Sequence, residues 1–172
     1  MSLVASSELQ GETRVALIDL INRAYEEDLT ALFDNLGEGV HLLGTVGGQL
    51  VTHAMWVTRW LQVARGPLLR TAYVELVATD AAYRNRGYAA AVMRRLQREI
   101  CDCDIAALSP FSVAYYARLG WEPWQGPLFI RKDGALVATP EDEEVMILRL
   151  PKTPGLDLTQ PLSIEWREGE VW

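Results

Sequence analysis

Apolar residues recur in this chain with two periods, and the switches between them mark out the elements. From Glu12 to Tyr25, Val15, Leu17, Ile18, Ile21 and Ala24 fall at helical spacing and predict an amphipathic helix. A second short helix is expected at Thr30 to Asn35, with Gly37 and Gly39 as punctuation. Val40–Thr45 and Gln49–Val63 flank Gly47-Gly48 and predict a β-hairpin. Trp56 and Trp60, four apart on its second strand, share a face as core or interface residues. Leu68–Thr79, rich in β-branched and aromatic residues, predicts another long strand. A helix opens near Gly87 and runs to about Ile100, with Ala89, Val92, Met93, Leu96 and Ile100 on one face. Ile105–Leu108 is a short strand, and Phe111–Leu119 a helix stopped by Gly120. Leu128–Ile130 and Ala135–Ala138 flank the turn pair Asp133-Gly134, and Val145–Leu150 is a late strand. The closing stretch carries Trp166 and Trp172, which predict a tail tied to the body rather than a frayed end.

Helix, antiparallel strands, helix, strand, helix, strands is an α+β (mixed α/β) order with one central sheet. A length of 172 residues suits a single domain, 1–172. No apolar run reaches the ~18 residues of a membrane span. Met1 to Gln10 shows no signal-peptide pattern, so a cytoplasmic protein is expected. The net charge of −7 argues against a nucleic-acid binder and fits a cationic partner. Cys101 and Cys103, with only His41 and His53 as histidines, fall short of a zinc ligand set; free thiols and no metal are expected.

The most informative stretch is Arg84-Asn85-Arg86-Gly87-Tyr88-Ala89, between a strand and a helix. A helix N-terminus offers unpaired N–H groups and partial positive charge to an anion. Gly87 and Ala89 leave room for a phosphate to approach the backbone, and Arg84 and Arg86 supply guanidinium donors. A plainer reading stands beside this one: Gly87 turns the chain and the arginines are surface charges. The loop matches neither the Walker nor the dinucleotide pattern.

Arg84-x-x-Gly87-x-Ala89, preceded by Val74-Glu75-Leu76-Val77-Ala78-Thr79, resembles the acetyl-CoA loop of GCN5-related N-acetyltransferases. Tyr115-Tyr116-Ala117-Arg118-Leu119-Gly120-Trp121 is similar to a later helix end of that family. The resemblance implies the acyl-CoA N-acyltransferase fold, a mixed, mostly antiparallel central sheet flanked by helices. The chain is further similar, nearly end to end, to aminoglycoside 2'-N-acetyltransferases. That likeness is carried by Tyr73-Val74-Glu75, Gly120 to Pro127, Thr139-Pro140-Glu141-Asp142 and Trp166-Arg167-Glu168-Gly169-Glu170-Val171-Trp172.

What the resemblance implies is an acetyl-CoA-dependent enzyme, without a metal, acting on a small cationic amine by direct attack on the thioester. A role in antibiotic resistance and a homodimer are expected with it. Val77 would polarise the thioester carbonyl through its N–H. Thr79, Arg84, Arg86, Gly87, Tyr88 and Ala89 would hold the cofactor. Tyr116 would be the general acid, and Glu75 a base acting through water or an anchor for ammonium groups. Asp28, Asp142, the Trp172 α-carboxylate and Ser109 match substrate contacts, and several carboxylates in one pocket attract a polyamine sugar. Tyr73, Glu75 and Val77 share a strand face unless a bulge intervenes, as it does in the family. Three departures stand out: Ser109-Pro110 replaces a cofactor-touching Asn, Glu144 a small residue, and Leu76 a glycine. Leu76 is expected to narrow the substrate site. Two other readings remain: acetylation of another amine (a polyamine, an amino sugar), or an acyl-CoA-binding module without catalysis.

Overall fold

Leu17, Leu20 and Ile21 form the buried stripe of the first helix, α1 (Gly11–Tyr25). The expected face is corrected by one residue: Val15 is 59% exposed, and Leu20 is buried in its place. Positions 17, 20, 21 and 24 are the i, i+3, i+4, i+7 set, from which 15 falls away. The helix ends where Glu26 takes φ 60, a left-handed cap.

The computed structural model describes residues 1–140 and 142–172. Two compact units divide the chain, residues 1–57 with 74–99, and residues 58–73 with 100–172. The first unit holds β1 (Ser2–Ala5), α1, α2 (Thr30–Asn35) and β2 (Gly39–Val46). It also holds the start of β3 (Gln49–Val63), the end of β4 (Leu68–Thr79), and α3 (Tyr88–Glu99). β1 pairs antiparallel with β2, and β2 with β3, the latter register shifting between Gly44 and Thr45. α3 buries Val92, Met93 and Leu96, as its spacing predicts.

The second unit holds the rest of β3 and β4, then β5 (Ile105–Leu108), α4 (Val113–Ala117) and β6 (Glu122–Pro123). β7 (Leu128–Lys132), β8 (Ala135–Ala138), β9 (Met146–Arg149) and β10 (Leu162–Glu165) complete it. The strand order is β6-β9-β5-β4-β3-β10-β7-β8. β4–β5 and β10–β7 are parallel, whereas β5–β9, β6–β9, β7–β8 and β10–β3 are antiparallel. The result is the α+β class that the element order predicts, with the mixed, mostly antiparallel sheet that the resemblance implies.

Three differences have local causes. α4 spans five residues, not Phe111–Leu119, because Ser112 caps it by accepting from the Tyr115 N–H and Gly120 leaves the helix at φ +90. β6 escapes a pattern search because it is only two residues long, and β1 and β10 also lie outside the predicted elements. Of the two terminal tryptophans, Trp172 is 6% exposed and Trp166 46% exposed, with the Lys132 ammonium 4.3 Å over the Trp166 ring.

Candidate active site

In the first unit the candidate residues converge on the end of β4 and the loop after it. Leu76 takes φ +51 inside the strand, the left-handed break that a bulge introduces. Leu76 itself, expected to narrow the substrate site, is buried at 5% exposure. Glu75, Val77 and Thr79 are half-buried on the alternate positions, with Val74, Leu76 and Ala78 buried between them. Side chains from β3 reach this backbone. Thr52 Oγ1 donates to the Ala78 carbonyl at 3.0 Å and lies 2.9 Å from Thr79 Oγ1. His53 Nδ1 lies 2.8 Å from the Leu76 carbonyl oxygen.

Tyr25, at the end of α1, was not singled out by the sequence. Its hydroxyl donates to the Val77 carbonyl at 3.3 Å. Burial of that hydroxyl, with the Glu75 carboxylate nearby, pushes its pKa up to about 12, although Tyr25 as a whole is 44% exposed. Tyr25 therefore stays a neutral donor at any working pH.

After β4, Asp80 accepts from the Ala82 N–H and pairs with Arg23 at 3.3 Å. Asn85 (φ 60) and Gly87 (φ 83) then turn the chain into α3. A Cβ on Gly87 would meet no atom within 4 Å, so its left-handed φ, not crowding, selects glycine there. Arg84 is occupied within the protein: Nη2 donates to the Ala24 carbonyl at 2.9 Å and Nε to that of Thr79 at 3.5 Å. Arg86 stands over the Tyr83 ring at 5.4 Å, and that ring meets Tyr88 edge-on at 5.9 Å. A helix start leaves its leading N–H groups, here those of Tyr88 and Ala89, without helical partners; such groups, with the Arg86 guanidinium, could hold an anion. They fit a phosphate-bearing cofactor.

Asp28 accepts from the Thr30 N–H at 3.0 Å and from Asn22 Nδ2 at 3.3 Å. The Thr30 hydrogen bonds hold its carboxyl below the usual range. Asp28 thus closes an Asx turn just before α2, whose N-cap is Leu29, and the hydrogen bonds favour its carboxylate form.

In the second unit, Tyr116 is 3% exposed on α4, edge-on to Phe111, Tyr115 and Trp121 at 5.1 to 6.2 Å between ring centroids. Ser109 Oγ shares its proton between Glu143 Oε1 (2.9 Å) and the Glu144 carbonyl (3.2 Å). Ser109 therefore anchors the acidic run that contains the exposed Asp142. Glu141, part of the Thr139–Asp142 likeness, lies outside the described residues.

The C-terminal tail is docked by groups that the sequence did not flag. Arg59 is 4% exposed; Nε donates to Glu165 Oε1 at 2.7 Å, Nη2 to the Glu165 carbonyl at 2.6 Å, and Nη1 to that of Val171 at 3.0 Å. Trp172 Nε1 donates to Thr139 Oγ1 at 2.8 Å. Gly126 lies under the chain at 158–160: its N–H donates to the Leu158 carbonyl at 2.9 Å, and a Cβ there would collide with the Thr159 and Gln160 carbonyl oxygens.

Among the described residues no cluster of three His, Cys, Asp or Glu is placed to hold a metal ion. Nor is any helix long and apolar enough to cross a membrane.

Comparison with known proteins agrees with this geometry. The sequence model of the family described as Acetyltransferase (GNAT) domain matches residues 8–124. The chain is 35% identical over 177 residues to an aminoglycoside 2'-N-acetyltransferase of Mycolicibacterium fortuitum, covering 99% of this chain and 90% of that one. The GNAT family N-acetyltransferase YhbS of Escherichia coli, solved in complex with CoA, has the same fold (TM-score 0.63, 18% identity, 97% of this chain and 89% of that one). Eis1 of Mycobacterium abscessus matches at TM-score 0.61 and 23% identity over 74% of this chain, which spans 33% of that protein. A strand broken at Leu76, a glycine turn into α3, and a family match running through both place the chain in the GNAT family, as an N-acetyltransferase.

Proposed function

We propose that this acetyltransferase moves the acetyl group of acetyl-CoA to the 2'-amine of an aminoglycoside. The observation that carries the reading is the 35% identity to an enzyme of that name along 99% of the chain. Similarity confined to the cofactor half would speak only for the family. The docked tail supports the reading, since burial of Trp172 gives the distinctive ending a fixed place.

Acetyl-CoA supplies an activated acetyl group. Thr79, Arg84, Arg86, Gly87, Tyr88 and Ala89 would hold it, with α3 giving N–H groups to phosphate oxygens. Arg84, tied to the Ala24 and Thr79 carbonyls, would shape the loop more than grip an anion. The Val77 N–H would polarise the thioester carbonyl. The neutral amine forms the C–N bond as the C–S bond breaks. Glu75 would take the amine's proton through water, and Tyr116 would give its proton to the departing sulfur. Asp28, Ser109, Asp142 and the Trp172 carboxylate would receive the substrate's ammonium and hydroxyl groups. The whole chain, 1–172, would work as one catalytic domain.

Thiol release from acetyl-CoA is measured with tobramycin, which carries a 2'-amine, and with kanamycin A, which carries a 2'-hydroxyl. Turnover with tobramycin alone is expected. Turnover with both would move the reaction to another amine. Turnover with neither would remove aminoglycosides as substrates.

A further inference from the structure

The first unit contains a buried polar array that the reaction above does not use. His41 and His53 are 1% and 0% exposed, their rings stacked 5.3 Å apart. His53 Nδ1 lies 2.8 Å from the Leu76 carbonyl oxygen, and its Nε2 lies 3.0 Å from His41 Nδ1. His41 Nε2 lies 3.0 Å from Ser6 Oγ, which in turn accepts the Gly39 N–H at 3.0 Å.

Chemistry fixes the direction of the two bonds that lead to Leu76. A carbonyl oxygen only accepts, so His53 carries its proton on Nδ1. Burial keeps both rings neutral, lowering His53 to about 3 and His41 to about 4. The bare His53 Nε2 then accepts from His41 Nδ1–H, and the bare His41 Nε2 faces the Ser6 hydroxyl, whose one proton is shared between that nitrogen and the Gly39 carbonyl oxygen at 3.2 Å. Donation between the rings runs one way, from His41 through His53 to the Leu76 carbonyl. The array is not a proton wire, because an amide oxygen at its end has no proton to pass on. What it can do is hold and polarise one peptide group.

That group joins Leu76 to Val77. The Leu76 C=O and the Val77 N–H lie in one rigid plane. Leu76 sits at φ +51, the left-handed region that L-residues disfavour, so the plane needs an external hold. A donor on the carbonyl also draws charge through the amide and makes the N–H more acidic, and a chain of donors strengthens the effect.

We propose that His53, backed by His41 and Ser6, is a positioning residue that fixes and polarises the Leu76–Val77 peptide, keeping the Val77 N–H set as the donor to the acyl carbonyl. This inference rests on the role given to Val77 above. No step of the reaction touches the imidazoles themselves.

His53→Leu removes the donor, and His53→Asn keeps one, since its Nδ2–H can stand near the place of Nδ1. Removing a donor aimed directly at the reacting oxygen costs ~10²–10³ in rate. Loosening the peptide that carries it should cost less, about tenfold. His53→Leu should therefore lower kcat about tenfold with the tobramycin KM within about twofold, and His53→Asn should restore most of the rate. In 15N-labelled protein, both rings should be protonated on Nδ1 at pH 7. The Val77 amide proton should move upfield in His53→Leu and return in His53→Asn. An unmoved Val77 resonance, a His53 ring protonated on Nε2, or equal rate losses in the two variants would overturn the proposal. Wild-type protein that does not turn over tobramycin would sink the substrate assignment instead; the Val77 resonance would still decide on the array, since it is read without substrate.

Discussion

Arg59→Leu tests what holds the C-terminal tail. The Arg59 side chain is 5% exposed, and its three donors go to Glu165 Oε1, the Glu165 carbonyl and the Val171 carbonyl. Burial lowers its pKa, and the Glu165 carboxylate counters that shift. Leucine keeps part of the stem packing and removes the charge and every donor. Breaking a buried ion pair from one side costs about 3–5 kcal/mol. Three features set the low end. Glu165 is 35% exposed, so water can re-solvate it. Arg131 stands 3.7 Å from Glu165 Oε2, and the Trp60 N–H still donates to that oxygen at 2.9 Å. A loss of about 3 kcal/mol is expected, on the order of 6–12 °C in Tm for a chain of this size. Urea unfolding measures it. Arg59→Leu combined with Glu165→Gln should recover about 1 kcal/mol relative to the sum of the single changes, because each single change already loses the Arg59–Glu165 interaction and the double variant loses it only once. A loss below about 1 kcal/mol for Arg59→Leu would refute the reasoning, for the tail would then be held by Trp172 packing without the cation.

Tyr116→Phe should lower kcat about 10²-fold while acetyl-CoA affinity, read by calorimetry, stays unchanged; an unaltered kcat would remove Tyr116 as the acid. Gly126→Ala should lower stability by about 1–3 kcal/mol, because the methyl group meets backbone oxygens rather than a flexible side chain. A thermal melt like the wild type's would mean that segment 158–160 can shift freely. Acid should weaken the fold in a defined window. Unfolded histidine takes up a proton near pH 6.5, whereas folded His41 waits until about 4 and His53 until about 3. The unfolded state then binds more protons, so stability falls as pH drops from 6.5 to about 4. The slope is up to about 1.4 kcal/mol per pH unit for each ring. Urea midpoints at pH 7, 6 and 5 should decline in order, and a flat series would contradict the burial of two neutral imidazoles.

Most elements were legible because their patterns are long. The 15 residues of β3 and the 12 of α3 carry enough periods to separate a strand from a helix. The loop from Arg84 to Ala89 was legible because its chemistry is local: a glycine at φ +83 and a helix start sit within a few residues of each other. Arg59 was not, since its partners lie 106 and 112 residues away and nothing in a strand sequence announces them. The histidine pair was hidden more subtly. A regular hairpin from the Gly47-Gly48 turn, continuing Val46↔Gln49 and Thr45↔Leu50, would set Leu42 opposite His53 and put the two histidines on opposite faces. The register shift between Gly44 and Thr45 instead pairs Leu43 with His53 and His41 with Met55. One extra residue thus brings both rings to the same face as diagonal neighbours. No pattern of polar and apolar positions reveals a bulge whose evidence is the pairing itself.

Leu76 carries the same lesson into energetics. Glycine is the residue expected where a strand turns left-handed, because it has no Cβ to clash. Leucine at φ +51 costs roughly 1–2 kcal/mol. Full burial of a leucine side chain contributes about 1.5–3 kcal/mol, and Leu76 is 5% exposed. The bond from His53 to its carbonyl adds about 1 kcal/mol. Burial and the imidazole together outweigh the strain, so the break in β4 survives without glycine. The difference also makes the two positions interdependent: once leucine occupies the bend, the peptide relies on a packed side chain on one side and a buried histidine on the other. The backbone geometry of the site is therefore set partly by residues that a search for catalytic side chains passes over.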